Sequence, residues 1–371
     1  YEAGLIGTIE VCYGSWQQES EYTTPESYEL YEILRKMADG GCKYVVMEVS
    51  SQALKLHRVE GIVFDTAVFT NLRADHIGAG EHADFAEYMD CKRQLFRRCR
   101  CGVFNQDDAY WQEMWRESGC QVVTYGFSGQ SDYCALAPQL LRGSSRLGVR
   151  YELTVHDAGQ AGMTAGTSFT ESGEGVTEKK PEEQKKRIVV NAPGRFSVYN
   201  SLAAIAIALE LGVGFDAIMS GLGRFTGTDR RFEKKGEIGG VTVIDDYAHH
   251  PQEISATLKA AENYPHKRLW VVFQPHTYTR TKAFLDEFAQ ALSGADEVIL
   301  ADIFAARETD TLGVSSRDIA ERLEKLGTSV HYIPSFDEIE TFILEHCIHG
   351  DLLITMGAGD IVKVGEKLLG L

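Results

Sequence analysis

The stretch RLWVVFQPHTYTRTKAFLDEFAQALSGADEVILADIF, residues 268–304, carries the alternation that decides the fold. An apolar run ends at Gln274, an amphipathic segment of helical length follows through Leu292, and a second apolar run begins after Glu297. Short apolar runs that alternate with amphipathic helices are typical of a parallel sheet covered by helices. The stretch therefore predicts one β–α–β unit of an α/β domain.

The same alternation continues on both sides of this unit. Apolar runs in the second half predict the five strands of a doubly wound, Rossmann-like domain: GVTVIDDYAHHP, RLWVVFQPH, EVILADIF, SVHYIPS and GDLLITMGAGD. Five runs in the first half predict another such sheet: GLIGTIEV, YVVMEVS, DTAVFTN, CGVFNQ and QVVTYGF. Residues 23–41 open with Thr-Thr-Pro-Glu and end at glycines, which predicts a capped helix. We therefore predict an α/β chain with two doubly wound domains.

The pattern changes from about residue 131. RLGVRYELTVHD and RIVVNAPG predict two strands, and the charged stretch ESGEGVTEKKPEEQKKR that separates them predicts a solvated loop. We expect these strands to form a small β-hairpin subsheet of the first domain. The alanine-rich residues 196–213 that follow predict a helix.

Composition excludes several classes of protein. The net charge of −17 argues against a nucleic-acid or membrane binder, because phosphate surfaces would repel the chain. The eight cysteines form no CxxC pair and show no zinc spacing, which favours reduced core residues of a cytoplasmic protein. We find no signal peptide and no apolar run of membrane-spanning length.

Metal-capable side chains follow two predicted strands of the first half. Glu48 ends one strand and Ser50 follows it, while Asp75 and His76 follow the next strand. Nucleotide-hydrolysing folds hold Mg²⁺ at such positions, because this cation takes oxygen ligands near the phosphates. Two such strand ends favour a site, although helix capping by Glu48 and Ser50 and a structural His76 stay open.

Lys92 lies among apolar residues on the helix predicted after His76. A lysine on a helix is usually a solvated surface charge. A desolvated lysine amine, however, is neutral and reacts with carbon dioxide to form an anionic carbamate, which serves as an additional carboxylate for Mg²⁺. Sequence spacing leaves both interpretations open.

Charged and polar side chains also cluster at predicted strand ends in the second half. The pair Arg230 and Arg231 is suited to phosphate oxygens. Adjacent histidines are not a usual zinc spacing, so contacts with ribose hydroxyls and a polar substrate are favoured over zinc. The remaining candidates are Asp245, Asp246, His249, His250, His276, Arg280 and the glycine turn in TMGAGD.

One absence matters for nucleotide chemistry. The chain contains no Gly-Lys pair and hence no GxxxxGK[ST] phosphate-binding loop, or P-loop. It begins at Tyr1 rather than Met, and we expect it to be cut from a longer protein. Either the phosphate-binding loop lies upstream of Tyr1, or the protein does not turn over ATP.

These motifs resemble those of the Mur ligases, the ATP-dependent amino-acid ligases that build the peptidoglycan stem peptide on a UDP-sugar carrier. Up to about residue 210, TTPES, MEVSSQAL, FDTAVFTNLRADHI, YMDCKRQLF and PGRFSVYNSLAAIA resemble the central domain of the tripeptide-synthesising members. From there to residue 371, FTGTDRRFE, VIDDYAHHPQEI, VFQPHTYTRT, DIFAARE and MGAGD resemble the C-terminal domain of the L-alanine-adding members. The resemblance implies a central P-loop-type ATPase domain over residues 1–228, here without its P-loop, and a C-terminal domain over residues 229–371.

The resemblance also implies roles for individual residues. The family counterpart of Lys92 is carbamylated and holds Mg²⁺ with the counterpart of His76, while that of Glu48 holds Mg²⁺ near the γ-phosphate. ATP contacts are implied for Asn200, Arg231, Asp246 and His249, and Arg231 joins the catalytic set as a phosphate ligand. Substrate contacts are expected at Thr23, Thr24, Ser50, Arg58, His250, His276 and Arg280.

The implied reaction joins a carboxylate to an amine in peptidoglycan precursor synthesis. ATP phosphorylates the carboxylate of a UDP-N-acetylmuramoyl substrate, and a free amino acid attacks the acyl phosphate. L-Alanine is favoured over lysine or diaminopimelate, because the second half lacks the Asp-Asn-Pro-Arg signature of the diaminopimelate-adding members. A folylpolyglutamate synthase-like ligase and a non-catalytic module that binds a nucleotide or a partner remain the alternatives. Without a P-loop, residues 1–371 alone are expected to be inactive.

Overall fold

The computed structural model describes residues 2–74, 77–78, 81–142, 147–156 and 184–371. Most of the loop predicted within residues 171–187 lies outside these ranges. The chain forms two compact units. Unit 1 comprises Tyr1–Ala137, Tyr151–Ile188 and Tyr199–Ile218, and unit 2 comprises Pro138–Arg150, Val189–Val198 and Met219–Leu371.

The described strands and helices alternate along much of the chain. The strands are β1 (Ala3–Ile6), β2 (Glu10–Tyr13), β3 (Trp16–Glu19), β4 (Tyr44–Met47), β5 (Phe64–Phe69), β6 (Cys99–Asn105), β7 (Gln121–Gly126), β8 (Tyr133–Arg142), β9 (Leu147–Val155), β10 (Gln184–Val190), β11 (Glu233–Ile238), β12 (Val241–Asp246), β13 (Leu269–Phe273), β14 (Glu297–Leu300), β15 (Ser329–Tyr332) and β16 (Leu352–Met356). The helices are α1 (Ser27–Asp39), α2 (Ser51–Lys55), α3 (Phe85–Arg93), α4 (Trp111–Trp115), α5 (Phe196–Glu210), α6 (Phe215–Arg224), α7 (Pro251–Ala261), α8 (Tyr278–Ala283), α9 (Leu285–Leu292), α10 (Ser316–Leu326), α11 (Phe336–His346) and α12 (Val362–Leu369), with a 3-10 turn at Phe96–Arg98. None of these helices is long and apolar enough to cross a membrane.

The first sheet has the strand order β3-β2-β1-β4, with β1 antiparallel to β2 and parallel to β4. The predicted strand GLIGTIEV is wrong as one element, because the chain turns where the Gly7 N–H donates to the Glu10 carbonyl at 2.9 Å. A Cβ atom at Gly7 would lie 2.9 Å from a Glu48 carboxylate oxygen, so a larger residue there would displace that carboxylate. Strand β3 was missed because its sequence, WQQE, has no apolar alternation.

The second sheet has the order β10-β9-β8-β7-β6-β5. Strands β5 to β8 run parallel, and the predicted strands DTAVFTN, CGVFNQ and QVVTYGF are confirmed as β5, β6 and β7. The strands of the predicted hairpin are β9 and β10, which lie beside β8 at one edge of this sheet. Strand β8 was missed because Pro138 and the left-handed Ala137 (φ 48°) interrupt its pattern.

The third sheet belongs to unit 2 and has the order β11-β12-β16-β13-β14-β15. Strands β12 to β16 are parallel and confirm all five predictions, whereas the charged edge strand β11 pairs antiparallel and was missed. Helices α7, α9 and α10 pack on one face, and α11 and α12 on the other. The chain leaves β13 and its neighbour β16 towards opposite faces, which opens a crevice beyond their carboxyl ends.

Candidate functional site

A cluster of oxygen atoms surrounds Glu48, directly after β4. The Thr8 N–H donates to Glu48 Oε1 at 3.0 Å and the Thr8 hydroxyl to Oε2 at 2.9 Å. Thr8 Oγ1 also lies 3.2 Å from Thr23 Oγ1. Glu48 itself is exposed, so its remaining lone pairs face solvent. Carboxylate and hydroxyl oxygens suit a hard cation such as Mg²⁺. Sequence reasoning missed Thr8, because it predicted GLIGTIEV as one strand with no turn at this residue.

Thr24 connects this cluster to the start of α2. Its buried hydroxyl donates to the Glu48 carbonyl at 2.9 Å and accepts the Ser50 N–H at 3.0 Å. The Ser50 hydroxyl caps α2 by accepting the Ala53 N–H at 3.1 Å. Arg58 donates to the Thr24 carbonyl at 3.0 Å and pairs with the Glu26 carboxylate. The substrate candidates of unit 1 therefore form one hydrogen-bonded group next to Glu48.

Lys92 lies in the last turn of α3 and is half-buried. Its ammonium nitrogen lies 5.2 Å from the centre of the Tyr88 ring. Lys92 also lines a cavity of about 60 Å³ with Asn71 and apolar side chains including Val49. The predicted partners Asp75 and His76 lie outside the described residues.

A buried network missed by sequence reasoning joins α2 to the start of α3. His82 is fully buried, and its Nε2 lies 2.9 Å from the Ser51 hydroxyl. Lys55 donates to the Glu81 carbonyl at 2.8 Å and pairs with Glu87 at 2.9 Å. Because α2 begins at Ser51 and α3 carries Lys92, this network holds the two helices that present Ser50 and Lys92.

Asn200, the predicted adenine contact, is exposed on α5 in unit 1. Within the described part of the chain, its side chain forms no hydrogen bond that would assign it another role. Within the described residues there is also no group of three or more His, Cys, Asp or Glu side chains able to hold a metal.

In unit 2, Arg230 joins the carboxyl ends of β12 and β16. It donates from Nε to the fully buried Asp245 carboxylate at 3.1 Å and from a terminal nitrogen to the Gly357 carbonyl at 2.7 Å. The Thr355 hydroxyl donates to the other Asp245 oxygen at 2.6 Å. A side chain at Gly357 would lie 2.7 Å from the Gln274 carbonyl, so this turn requires glycine. The Arg230–Asp245 pair thus ties together the carboxyl ends of β12 and β16.

Asp246 fixes the backbone on both sides of it, before β11 and after β12. Its carboxylate accepts the N–H groups of Phe232 and Ala248, both at 2.8 Å. Arg231 is exposed and lies with its guanidinium carbon 5.2 Å from the Tyr247 ring centre. His249 is half-buried, and its Nδ1 lies 3.0 Å from the Tyr247 carbonyl.

His276 follows β13 and lies near His249. His276 stacks on Phe304 with ring centres 5.6 Å apart, and its Nδ1 lies 3.2 Å from Arg280. His276 also lies 5.8 Å from the His249 ring. Thr277 follows with φ 66° and ψ 145°, a conformation that costs a non-glycine residue free energy and that clusters at functional sites. His276 and Arg280 are therefore held together with His249.

Unlike His249 and His276, His250 caps a helix. Its Nδ1 accepts the Gln252 N–H at 3.4 Å at the start of α7, and its ring packs against Phe284 with centres 4.9 Å apart. The Glu253 carboxylate accepts the N–H groups of His249 and His250. The structure therefore gives His250 a structural contact in addition to its predicted substrate contact.

We predict that Asp246 titrates near pH 6. Burial is the main cause that raises the pKa of Asp246 from 3.8 to about 6. The folded state then retains a proton that the unfolded state has released, so stability falls as the pH rises from about 4 to about 6. The loss is on the order of 3 kcal/mol. Carbon-13 NMR of the Asp246 carboxyl should give this midpoint, and Asp246→Asn should flatten the fall. A midpoint below pH 5 would contradict the assignment.

Comparison with known proteins agrees with this arrangement. The family model of the Mur ligase middle domain matches residues 1–208, more than half of the chain, and that of the Mur ligase glutamate ligase domain matches residues 230–359. The chain belongs to the Mur ligase family. The first match contains the Glu48 cluster and Lys92, and the second contains Arg230, Asp246 and the crevice.

Two relatives that match much of the chain carry the same name. The UDP-N-acetylmuramate–L-alanine ligase of Lachnospira eligens is 62% identical over 187 residues, 50% of this chain and 41% of the relative. The ligase of the same name from Agathobacter rectalis is 43% identical over 296 residues, 78% of this chain and 58% of the relative. The second alignment, over 296 residues, is longer than either matched domain. The similarity to L-alanine ligases therefore extends into both domains. The chain thus spans about half the length of these relatives.

Solved structures show the same fold. The crystal structure of UDP-N-acetylmuramate–alanine ligase from Thermotoga maritima superposes with a TM-score of 0.63 at 22% identity. The superposition covers 88% of this chain and 62% of that one. The predicted α/β class is therefore confirmed.

Proposed function

We propose that this Mur ligase chain is part of an ATP-dependent ligase that joins L-alanine to the carboxylate of UDP-N-acetylmuramate in peptidoglycan precursor synthesis. The observation that carries the proposal is the Glu48 cluster, an exposed carboxylate held by Thr8 beside the substrate candidates Thr23, Thr24 and Ser50. Its position after a sheet strand is where oxygen ligands for Mg²⁺ are expected in a nucleotide-using fold. The 62% identity to an L-alanine ligase supports the choice of amino acid.

The residues present fit Mg²⁺ as a cofactor. Glu48 offers carboxylate oxygens, and the cavity of about 60 Å³ beside Lys92, which Thr70 and Asn71 also line, gives a carbamate space. Mg²⁺ would be held by Glu48, His76 and carbamylated Lys92. When bound, the ion offsets the negative charge of two anions brought together. The carbamate would form when the neutral Lys92 amine attacks carbon dioxide and loses one proton.

The other residues of unit 1 bind and orient the substrate. Arg58 is buried and held by the Thr24 carbonyl and by Glu26, so it fixes the loop of Thr23 and Thr24 beside its own proposed contact with the UDP-sugar. Thr23 and Ser50 supply hydroxyl groups for its polar atoms. Asn200 provides an exposed amide for the adenine of ATP.

The residues of unit 2 serve ATP and the incoming amino acid. Arg231 is exposed and free to bind phosphate oxygens, where charge develops during phosphoryl transfer. Asp246 and His249 contact the ribose. The Asp246 carboxylate already accepts two backbone N–H groups, so Asp246 also fixes the loop that carries His249. His276, Arg280 and His250 line the amino-acid side, where bulky rings exclude long side chains.

The proposed specificity is tested with a completed enzyme, in which residues 1–371 follow the N-terminal residues of the Agathobacter rectalis relative that precede its match. We expect phosphate release with UDP-N-acetylmuramate and L-alanine, and at least about tenfold less with lysine or diaminopimelate, because pocket size alone discriminates by about this factor. Preference for a diamino acid on a UDP-N-acetylmuramoyl dipeptide would overturn the choice of L-alanine.

The same assay tests the alternative of a module without turnover. Residues 1–371 alone contain no Gly-Lys pair. With no loop to bind the β- and γ-phosphates, we expect no phosphate release from them, while the completed enzyme is active. A completed enzyme that binds ATP but releases no phosphate with any amino acid would favour the non-catalytic module.

A further inference from the structure

Two cysteines lie at the beginnings of neighbouring parallel strands in unit 1. Cys99 is the first residue of β6, and Cys120 directly precedes β7. The strands pair with Cys101 opposite Gln121, so Cys120 falls opposite Arg100, one position away from Cys99. With strands about 4.8 Å apart and a rise of about 3.3 Å per residue, the two Cα atoms lie about 6 Å apart. Disulfides span roughly 4.4–6.8 Å between Cα atoms.

A strained turn presents Cys120. Glu117 and Gly119 both have left-handed backbones, with φ values of 62° and 71°. The Ser118 hydroxyl between them lies 3.2 Å from Cys120 Sγ. Arg97 pairs with Glu117 at 3.3 Å and so ties this turn to the segment before Cys99. A non-glycine residue in this conformation costs free energy, and such positions cluster at functional sites.

Space for the Cys120 sulfur depends on a glycine in the neighbouring strand. A Cβ atom at Gly102 would lie only 3.0 Å from Cys120 Sγ. The sulfur therefore lies against the β6 backbone rather than in solvent. Both Cys99 and Cys120 nevertheless remain half-buried rather than buried, so a small oxidant reaches them.

The two thiols differ in acidity. The contact with Cys99, together with a hydrogen bond from Ser118, lowers the pKa of the Cys120 thiol below its usual value. The same contact, together with burial, raises the pKa of Cys99. Burial raises the pKa of the nearby buried Cys101 to about 12, so that group stays a thiol. The more acidic Cys120 is therefore the more reactive cysteine of the pair, and Cys99 beside it is placed as the resolving cysteine.

We propose that Cys99 and Cys120 form a redox-active dithiol, a site of modification by hydroperoxides that is separate from the ligase site. The Cys120 thiolate attacks one peroxide oxygen and the O–O bond breaks, which leaves a sulfenic acid and hydroxide. The Cys99 sulfur then attacks the sulfenic sulfur, its proton and the departing hydroxide leave as water, and the disulfide forms. Two thiols and one hydrogen peroxide thus give one disulfide and two waters.

Mass spectrometry of the reduced 371-residue chain tests the proposal. After one equivalent of hydrogen peroxide we expect the intact mass to fall by two hydrogen atoms and the thiol count to fall from eight to six. Proteolysis should yield a linked peptide pair that contains Cys99 and Cys120. A linked pair between other cysteines, or no mass change, would overturn the proposal even if the completed enzyme is an active ligase.

Two variants assign the roles and one serves as the control. Cys99→Ser should stop at the sulfenic acid, with one added oxygen on Cys120 that a dimedone probe traps, and Cys120→Ser should form no disulfide. Cys42→Ser, at another half-buried cysteine, should behave like the unaltered chain. If a serine variant fails to fold, the peptide map of the unaltered chain alone decides. Equal dimedone labelling of Cys99 and Cys120 would refute the assigned order of reaction.

Discussion

Replacing Lys92 with alanine in the completed enzyme is expected to lower the rate of ligation by about a thousandfold or more. The half-buried amine lines a cavity together with Val49 and Asn71, where a carbamate would add a negative charge for Mg²⁺. Alanine removes that ligand and leaves two anions without compensation. Phosphate release with UDP-N-acetylmuramate and L-alanine measures the loss.

Chemical rescue separates a lost ligand from a lost fold. Short carboxylic acids or bicarbonate should restore part of the activity of Lys92→Ala, because they can occupy the cavity in place of the carbamate. Lys92→Arg keeps a positive charge but forms no carbamate, so we expect it to be as inactive as the alanine variant. Lys36→Ala, an exposed lysine on α1, is the control and should retain full activity. Full activity of Lys92→Arg would end the carbamate hypothesis.

Replacing Arg230 with methionine is expected to lower the free energy of unfolding of the 371-residue chain by about 3–5 kcal/mol. Arg230 is the cation beside the fully buried Asp245 carboxylate, and it also donates to the Gly357 carbonyl. Methionine has similar length and leaves a buried charge unpaired. Chemical unfolding followed by circular dichroism measures the change.

The second substitution in this test removes the buried charge as well. Asp245→Asn combined with Arg230→Met should recover much of the loss, because an amide costs far less to bury than an unpaired carboxylate. The exposed neighbour Arg231→Met is the matched control and should change stability by less than about 1 kcal/mol. A loss of similar size in Arg231→Met, or no loss in Arg230→Met, would refute the role of the pair.

The fold could be predicted from sequence where burial is strong on both faces of a strand. Residues 269–273 and 352–356 are buried throughout, and such runs are hard to mistake. Edge strands carry no such signal. Strand β11, with the sequence EKKGEI, and β3, with WQQE, contact the sheet through backbone hydrogen bonds that polar side chains do not reveal.

The residues of the candidate site also differ in whether the sequence alone could identify them. Glu48, Arg58 and Asp246 could be proposed because each stands in a recognisable motif after an apolar run. Thr8 and His82 could not, because their partners lie 40 and 31 residues away along the chain. A hydrogen bond between such distant residues depends on the path of the backbone, which no local pattern contains.

By itself, the sequence determined that this chain is an α/β protein with Mur ligase motifs, since hydrophobic periodicity and short motifs are local properties. Only the tertiary structure decided which candidates meet. It placed Thr8 against Glu48, assigned Arg230 rather than Arg231 to the buried Asp245, and made His250 a helix cap. It also placed Cys99 next to Cys120. The physical reason is that burial, charge pairing and thiol contact depend on distances in space, which sequence separation does not fix.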